Sequence, residues 1–187
     1  MKDIILASTS PRRKELLSLA GFPFTVDGAD IDENLPIKDP VKFVEELSYE
    51  KAMAVAKKYP DSIVIGADTI VVIDDEILGK PKDEEDALKI LKKLSGRTHQ
   101  VYTGVTVLDM KGGKADRTTF HERTDVSMYE NPESMLKEYI STGEPMDKAG
   151  AYGIQGRGAL LIKGIEGDYY NVMGFPVAKI YRVISGM

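Results

Sequence analysis

Four side chains near the start of the chain could hold an anion: Ser8, Ser10, Arg12 and Arg13. An apolar run, Ile4-Ile5-Leu6, reads as a strand and stops at small hydroxyl residues. Ser10 suits an N-cap, and Pro11 suits the first helical position, where its missing N–H costs nothing. Leu16, Leu17 and Ala20 would give the helix an apolar face, and Gly21 would end it. The turn should therefore present hydroxyls, backbone N–H groups and two guanidinium groups at the positive end of a helix, a combination suited to phosphate. The same residues equally make an ordinary helix start with two surface arginines.

A carboxylate could work beside this turn. Asp68 directly follows Ser62-Ile63-Val64-Ile65-Gly66-Ala67, which reads as a buried strand, so it is expected at that strand's carboxyl end, where open α/β sheets place ligands. There it could hold Mg²⁺ or orient and deprotonate a water, and sequence does not separate the two roles. Glu33, in the acidic loop Asp27–Glu33, is the best second carboxylate, although an acid in a polar loop is more often simply solvated. Lys51 falls four residues from both Leu47 and Val55, on the apolar stripe of a helix capped by Asp39-Pro40. A lysine there either snorkels outward or points at something anionic. Lys80 follows Ile77-Leu78-Gly79 and adds positive charge. The segment Gly150–Gly158 has too many glycines for a helix or strand interior; it reads as a loop allowing close backbone approach, with the Gln155 amide able to read a base edge. A flexible surface turn is the competing interpretation. His99 and His121 lack ligand spacing and stay outside the chemistry.

The elements that must position these residues alternate between strand and helix, interrupted by hairpins. Further helices are expected after Asp83, after Asn131-Pro132 and from Pro176; strands are expected at Phe24–Val26, Ile70–Ile73, Val101–Leu108, Thr118–Val126 and Leu160–Ile162, with a turn over Gly164–Asp168. The pattern implies an α/β protein with a mixed sheet. At 187 residues and 42% hydrophobic the chain can bury a full core, and a single domain over 1–187 is expected. A net charge of −5 gives no reason to expect binding to a nucleic-acid duplex or an anionic membrane. There are no cysteines, hence no disulfides or thiolate metal sites. The absence of a signal-peptide core and of any window near the ~20 apolar residues of a membrane span leads to the expectation of a soluble cytoplasmic protein. Neither a P-loop nor a G-x-G-x-x-G follows a strand, which argues against both nucleotide-binding motifs.

Leu6–Arg13, Gly66–Thr69, Leu78–Pro81, Leu94–His99 and Lys148–Ala159 together resemble the Maf proteins, nucleoside triphosphate pyrophosphatases also called septum formation inhibitors. The resemblance implies a long curved mixed β-sheet flanked by helices, with two lobes around a central cleft, as in the inosine triphosphatase-like pyrophosphatases. It implies hydrolysis of a nucleotide between its α- and β-phosphates, with a divalent cation (Mg²⁺ or Mn²⁺) as cofactor, and it allows a homodimer. Asp68 falls on the family's catalytic acid, and Asp68 with Glu33 is expected to hold the metal. Arg12, Thr69 and Gln155 fall on its substrate-selecting positions, with the residue types of the dTTP/UTP branch. Ser8, Arg13, Glu33, Lys51 and Lys80 match its other polar cleft positions, and Ser8, Arg13, Lys51 and Lys80 are expected to bind phosphate. The competing readings are a nucleotide-binding regulator of cell division with little turnover, a 7-methyl-GTP-type pyrophosphatase, and a phosphatase or phosphotransferase. Whether the role is cleaning the nucleotide pool or arresting division stays open.

Overall fold

The computed structural model describes residues 2–187. Seven strands, β1 (Ile4–Leu6), β2 (Phe24–Val26), β3 (Ile63–Ile73), β4 (Glu76–Leu78), β5 (Thr98–Lys111), β6 (Lys114–Met128) and β7 (Ile162–Glu166), form one sheet in the order β2-β1-β3-β5-β6-β7, with β4 paired to β3. The sheet is mixed: β1 runs parallel to β2 and β3 (Ile4 opposite Phe24 and Ile63), whereas β4 is antiparallel to β3 and β7 to β6. Six helices accompany it: α1 (Pro11–Leu19), α2 (Pro40–Ala56), α3 (Glu84–Leu94), α4 (Glu133–Ser141), α5 (Tyr169–Val172) and α6 (Val177–Ser185). The α/β class with a mixed sheet is as expected. Among the described residues no helix is long and apolar enough to cross a membrane.

The described residues divide into two compact units, the first comprising 2–68, 103–122 and 174–187 and the second 69–102 and 123–173. Strands β3, β5 and β6 contribute residues to both. In the first unit, Ile5, Ala7, Val64, Leu108 and Met110 of the sheet region pack with Ala52, Val55 and Ala56 of α2. In the second, Val71, Ile73, Val101, Val126 and Met128 pack with Leu91 and Leu94 of α3, Leu136 and Tyr139 of α4, and Tyr152.

Local chemistry explains the elements and several departures from expectation. Asp39 and Asp83 cap α2 and α3, accepting from the N–H groups of Lys42 (2.9 Å) and Asp86 (2.8 Å). Asn131 does not cap α4; its amide donates to the carbonyls of Tyr129 and Leu161, and Pro132 takes the cap position. β3 does not stop at Asp68, because β-branched residues carry it on to Ile73 without a breaker. It is β1 that stops short of Asp68, its pairing with β3 ending at Leu6 opposite Ile65. Gly164 lies inside β7 instead of in a turn. The glycine-rich segment is ordered into short 3₁₀ turns, Ala149–Ala151 and Gly156–Leu161, rather than an open loop.

Candidate active site

Two glycines decide where α2 lies. A Cβ on Gly66 of β3 would stand 2.2 Å from the Ser48 carbonyl oxygen, and one on Gly104 of β5 would stand 2.2 Å from that of Val44. Helix backbone therefore rests directly on sheet backbone, which only glycine permits. The Ser48 hydroxyl bonds to that of Thr106 on β5 at 2.9 Å, satisfying both polar groups at this buried contact.

Seated this way, α2 turns Lys51 toward the sheet. Its Nζ lies 2.6 Å from Asp68 Oδ1 and 2.7 Å from Glu33 Oε1. The Lys51 and Asp68 side chains are each only 10% exposed, and Glu33 is 52% exposed, so a buried ion pair opens to solvent through its third member. Of the two orientations open to Lys51, the structure adopts the one toward anions. The acidic loop that carries Glu33 is held at its start. Asp27 donates its N–H to the Leu6 carbonyl and accepts from Lys58 Nζ (3.0 Å) and the Tyr59 hydroxyl (3.2 Å). Gly28 sits so close to Thr9 that a Cβ would meet its methyl at 2.5 Å.

The β1–α1 turn differs in detail from expectation. Ser10 occupies the N-cap position with Pro11 after it, but its side chain makes no capping bond. The Ser8 hydroxyl is engaged, accepting from the Ser10 N–H and from Arg13 Nη1, both at 3.3 Å. Arg13 Nε donates to the Gly174 carbonyl at 2.9 Å, which ties the turn to the segment entering α6. Burial lowers the Arg13 pKa, the charge of Asp68 opposes that shift, and lesser influences come from Arg12 (lowering) and Glu33 (raising). The first unit thus gathers Ser8, Arg12, Arg13, Glu33, Lys51 and Asp68 into one electrostatic neighbourhood of three cations and two carboxylates.

The second unit carries Thr69, Lys80 and Gln155. Thr69 and Val71 share a face of β3, since side chains two apart along a strand point the same way. Gly150 packs on Val71 so tightly that a Cβ would meet its Cγ2 at 2.7 Å, and the Gly150 N–H donates to the Gly79 carbonyl at 3.0 Å. The glycine-rich segment bearing Gln155 and the turn bearing Lys80 are therefore joined to each other, over the Thr69 face of the strand. Lys80 is exposed and Gln155 half-buried.

Sequence reasoning passed over Gly66 and Gly104, although a glycine inside a strand signals close approach of another backbone. It also passed over Glu144, which together with Tyr139 holds the Gln155 segment and carries no local signature.

Among the described residues no group of three or more acidic or histidine side chains is arranged to hold a metal. The donors that do converge are oxygens: one from Asp68 and one from Glu33 meet on a single cationic centre, the Lys51 ammonium. Such a pair suits a hard cation that keeps waters and draws its remaining ligands from phosphates.

The model of the Maf-like protein family matches residues 3–187. A dTTP/UTP pyrophosphatase of Geobacillus sp. (strain WCH70) is 52% identical over 186 residues, covering 99% of this chain and 98% of the relative. One of Agathobacter rectalis is 52% identical, covering 97% and 96% respectively. In fold, the chain is similar to the Staphylococcus aureus Ham1 protein (TM-score 0.50, 18% identity, covering 70% of this chain and 73% of that one). The family match and the relatives span the same strands and helices that assemble the Lys51 cluster and the Gln155 segment, and the chain belongs to the Maf-like protein family.

Proposed function

We propose that this protein hydrolyses dTTP and UTP between the α- and β-phosphates, releasing the nucleoside monophosphate and pyrophosphate. The observation that carries the proposal is the Lys51 ammonium held between Asp68 and Glu33, with Arg13 in the same electrostatic neighbourhood. The names of the half-identical relatives support the choice of substrate.

In this reading Arg13, Lys51 and Lys80 neutralise the triphosphate, assisted by the Ser8 hydroxyl and the N-terminus of α1. When phosphate oxygens draw on the Lys51 ammonium, the Asp68 carboxylate gains an open acceptor position. Asp68 then orients a water and takes its proton as the water oxygen bonds to the α-phosphorus. The bond from that phosphorus to the bridging oxygen breaks, and its electrons leave with pyrophosphate. A divalent cation such as Mg²⁺ or Mn²⁺, held by Asp68 and Glu33, would supply further neutralisation of the phosphate charge. Positioning and charge compensation account for most of the barrier reduction, as is general for phosphoryl chemistry.

Arg12, Thr69 and Gln155 select the base. An amide can both donate to O4 and accept from N3–H of a uracil or thymine ring, which a carboxylate cannot do. The deciding experiment is a nucleotide panel scored by product. Pyrophosphate and monophosphate from dTTP and UTP are expected, whereas orthophosphate release, or binding without turnover in Mg²⁺ or Mn²⁺, would sink the reading.

A further inference from the structure

The arc from Gly153 to Gly158, with Gln155 near its middle, is pinned at both ends by two side chains from upstream. Glu144 Oε2 accepts the Arg157 N–H at 3.0 Å, and Glu144 Oε1 accepts the Gly158 N–H at 3.1 Å. The same Oε1 accepts the Tyr139 hydroxyl at 3.0 Å, while that hydroxyl's oxygen accepts the Gly153 N–H at 3.2 Å. One carboxylate and one phenol therefore satisfy three backbone donors and each other. Bonds from N–H groups to an ionised carboxylate are stronger than neutral ones.

The fit leaves no slack. A Cβ on Gly158 would lie 2.1 Å from the Gly153 carbonyl oxygen and 2.8 Å from the Tyr139 hydroxyl. Gly156 has a φ of +64°, and a Cβ there would lie 2.7 Å from Glu144 Oε2. Tyr139 is itself buried, at 3% exposure, in the second unit's core. Burial, opposed by the Gly153 bond and reinforced by the neighbouring Glu144 charge, pushes its pKa up, so the phenol remains an O–H donor. Without the clamp, three glycines in six residues would give the arc wide conformational freedom. A side chain that must present a donor and an acceptor together needs that freedom removed.

We propose that Glu144 and Tyr139 are positioning residues for nucleotide selection, fixing the backbone on either side of Gln155 so that its amide meets the base in one geometry. This rests on the reading of Gln155 as a base-selecting residue.

The test compares kcat/KM for dTTP with that for dCTP and dGTP in Tyr139→Phe, Glu144→Gln, Gln155→Ala and the double variant Tyr139→Phe/Gln155→Ala. Each clamp variant is expected to lower the selectivity ratio about three- to tenfold, the effect of one misplaced hydrogen bond. The double variant should show the ratio of Gln155→Ala alone, because the clamp has nothing left to act through. A purely structural role would lower all nucleotides together and leave the ratio unmoved. An unchanged ratio in folded clamp variants, alongside a lowered ratio in Gln155→Ala, overturns the clamp and leaves the base reading standing. An unchanged ratio in Gln155→Ala removes the base reading and the clamp with it. Should Tyr139→Phe fail to fold, Glu144→Gln, which preserves side-chain size, decides the matter alone.

Discussion

The ammonium of Lys51 on α2 stands 2.6 Å from the carboxylate of Asp68 inside β3, two charges held together where each is 10% exposed. An ion pair with so little solvent is sensitive to loss of one partner, because the survivor stays buried without its counter-charge. Lys51→Met should destabilise the protein by about 3 kcal/mol, read from urea unfolding. Adding Asp68→Asn to it should recover part of that loss. An unchanged urea midpoint in Lys51→Met would contradict the pairing.

Asp68→Asn keeps the shape of the side chain and removes its basicity. Turnover of dTTP should fall by about 10²- to 10⁴-fold, with a smaller change in KM. Wild-type turnover from a folded Asp68→Asn protein would remove Asp68 from the chemistry.

The seat of α2 can be tested apart from any charged group. In Gly66→Ala or Gly104→Ala the new methyl would meet a helix carbonyl at 2.2 Å, so the helix must shift. Overpacking of this kind typically costs about 1–3 kcal/mol. Because Lys51 rides on the same helix, activity should fall as well. Variants with unaltered melting temperature and kcat would show that the contact is not constraining.

His99 makes stability depend on pH. It is fully buried, with Nε2 2.6 Å from the Tyr152 hydroxyl and Nδ1 without a hydrogen-bond partner among the described residues. Burial lowers its pKa from 6.5 to about 4, against a smaller opposing influence from Asp125. The folded state therefore resists protonation that the unfolded chain accepts. The His99 contribution is fully present above pH 6.5 and is lost as the pH falls toward 4, by up to about 3 kcal/mol. His99→Gln should show a flatter stability profile across that window than the parent; parallel profiles would rule the histidine out.

Gln155→Glu exchanges a donor-acceptor pair for acceptors only. Pyrimidine kcat/KM should drop about tenfold or more, since a site left with an unmatched polar group discriminates strongly. A nucleotide panel identical to that of the parent would show that the amide does not touch the base.

Much of this arrangement is legible in residue order. Asp39 and Asp83 announce their helices because a carboxylate before a helix has a local partner. Lys51 stands out as a cation on an apolar stripe. The identity of its partners is not legible, since Asp68 lies 17 residues away in sequence and Glu33 is drawn in by a loop fixed through Asp27, Lys58 and Tyr59. Asp68 reads as the end of a strand because the eye sees a polar break. The backbone sees β-branched residues beyond it and continues, and the boundary lies in the neighbouring strand β1. The glycine-rich segment reads as open because composition does not reveal the carboxylate and phenol that close it.

The continuity of β3 through Asp68 and Thr69 also constrains how the gene can change. Neighbouring strand residues face opposite sides, and a slip of one residue exchanges every side between them. A single-codon insertion or deletion before Asp68 would send its carboxylate to the Thr69 face. In this strand length is quantised, and only substitutions or paired changes keep both side chains on their own faces.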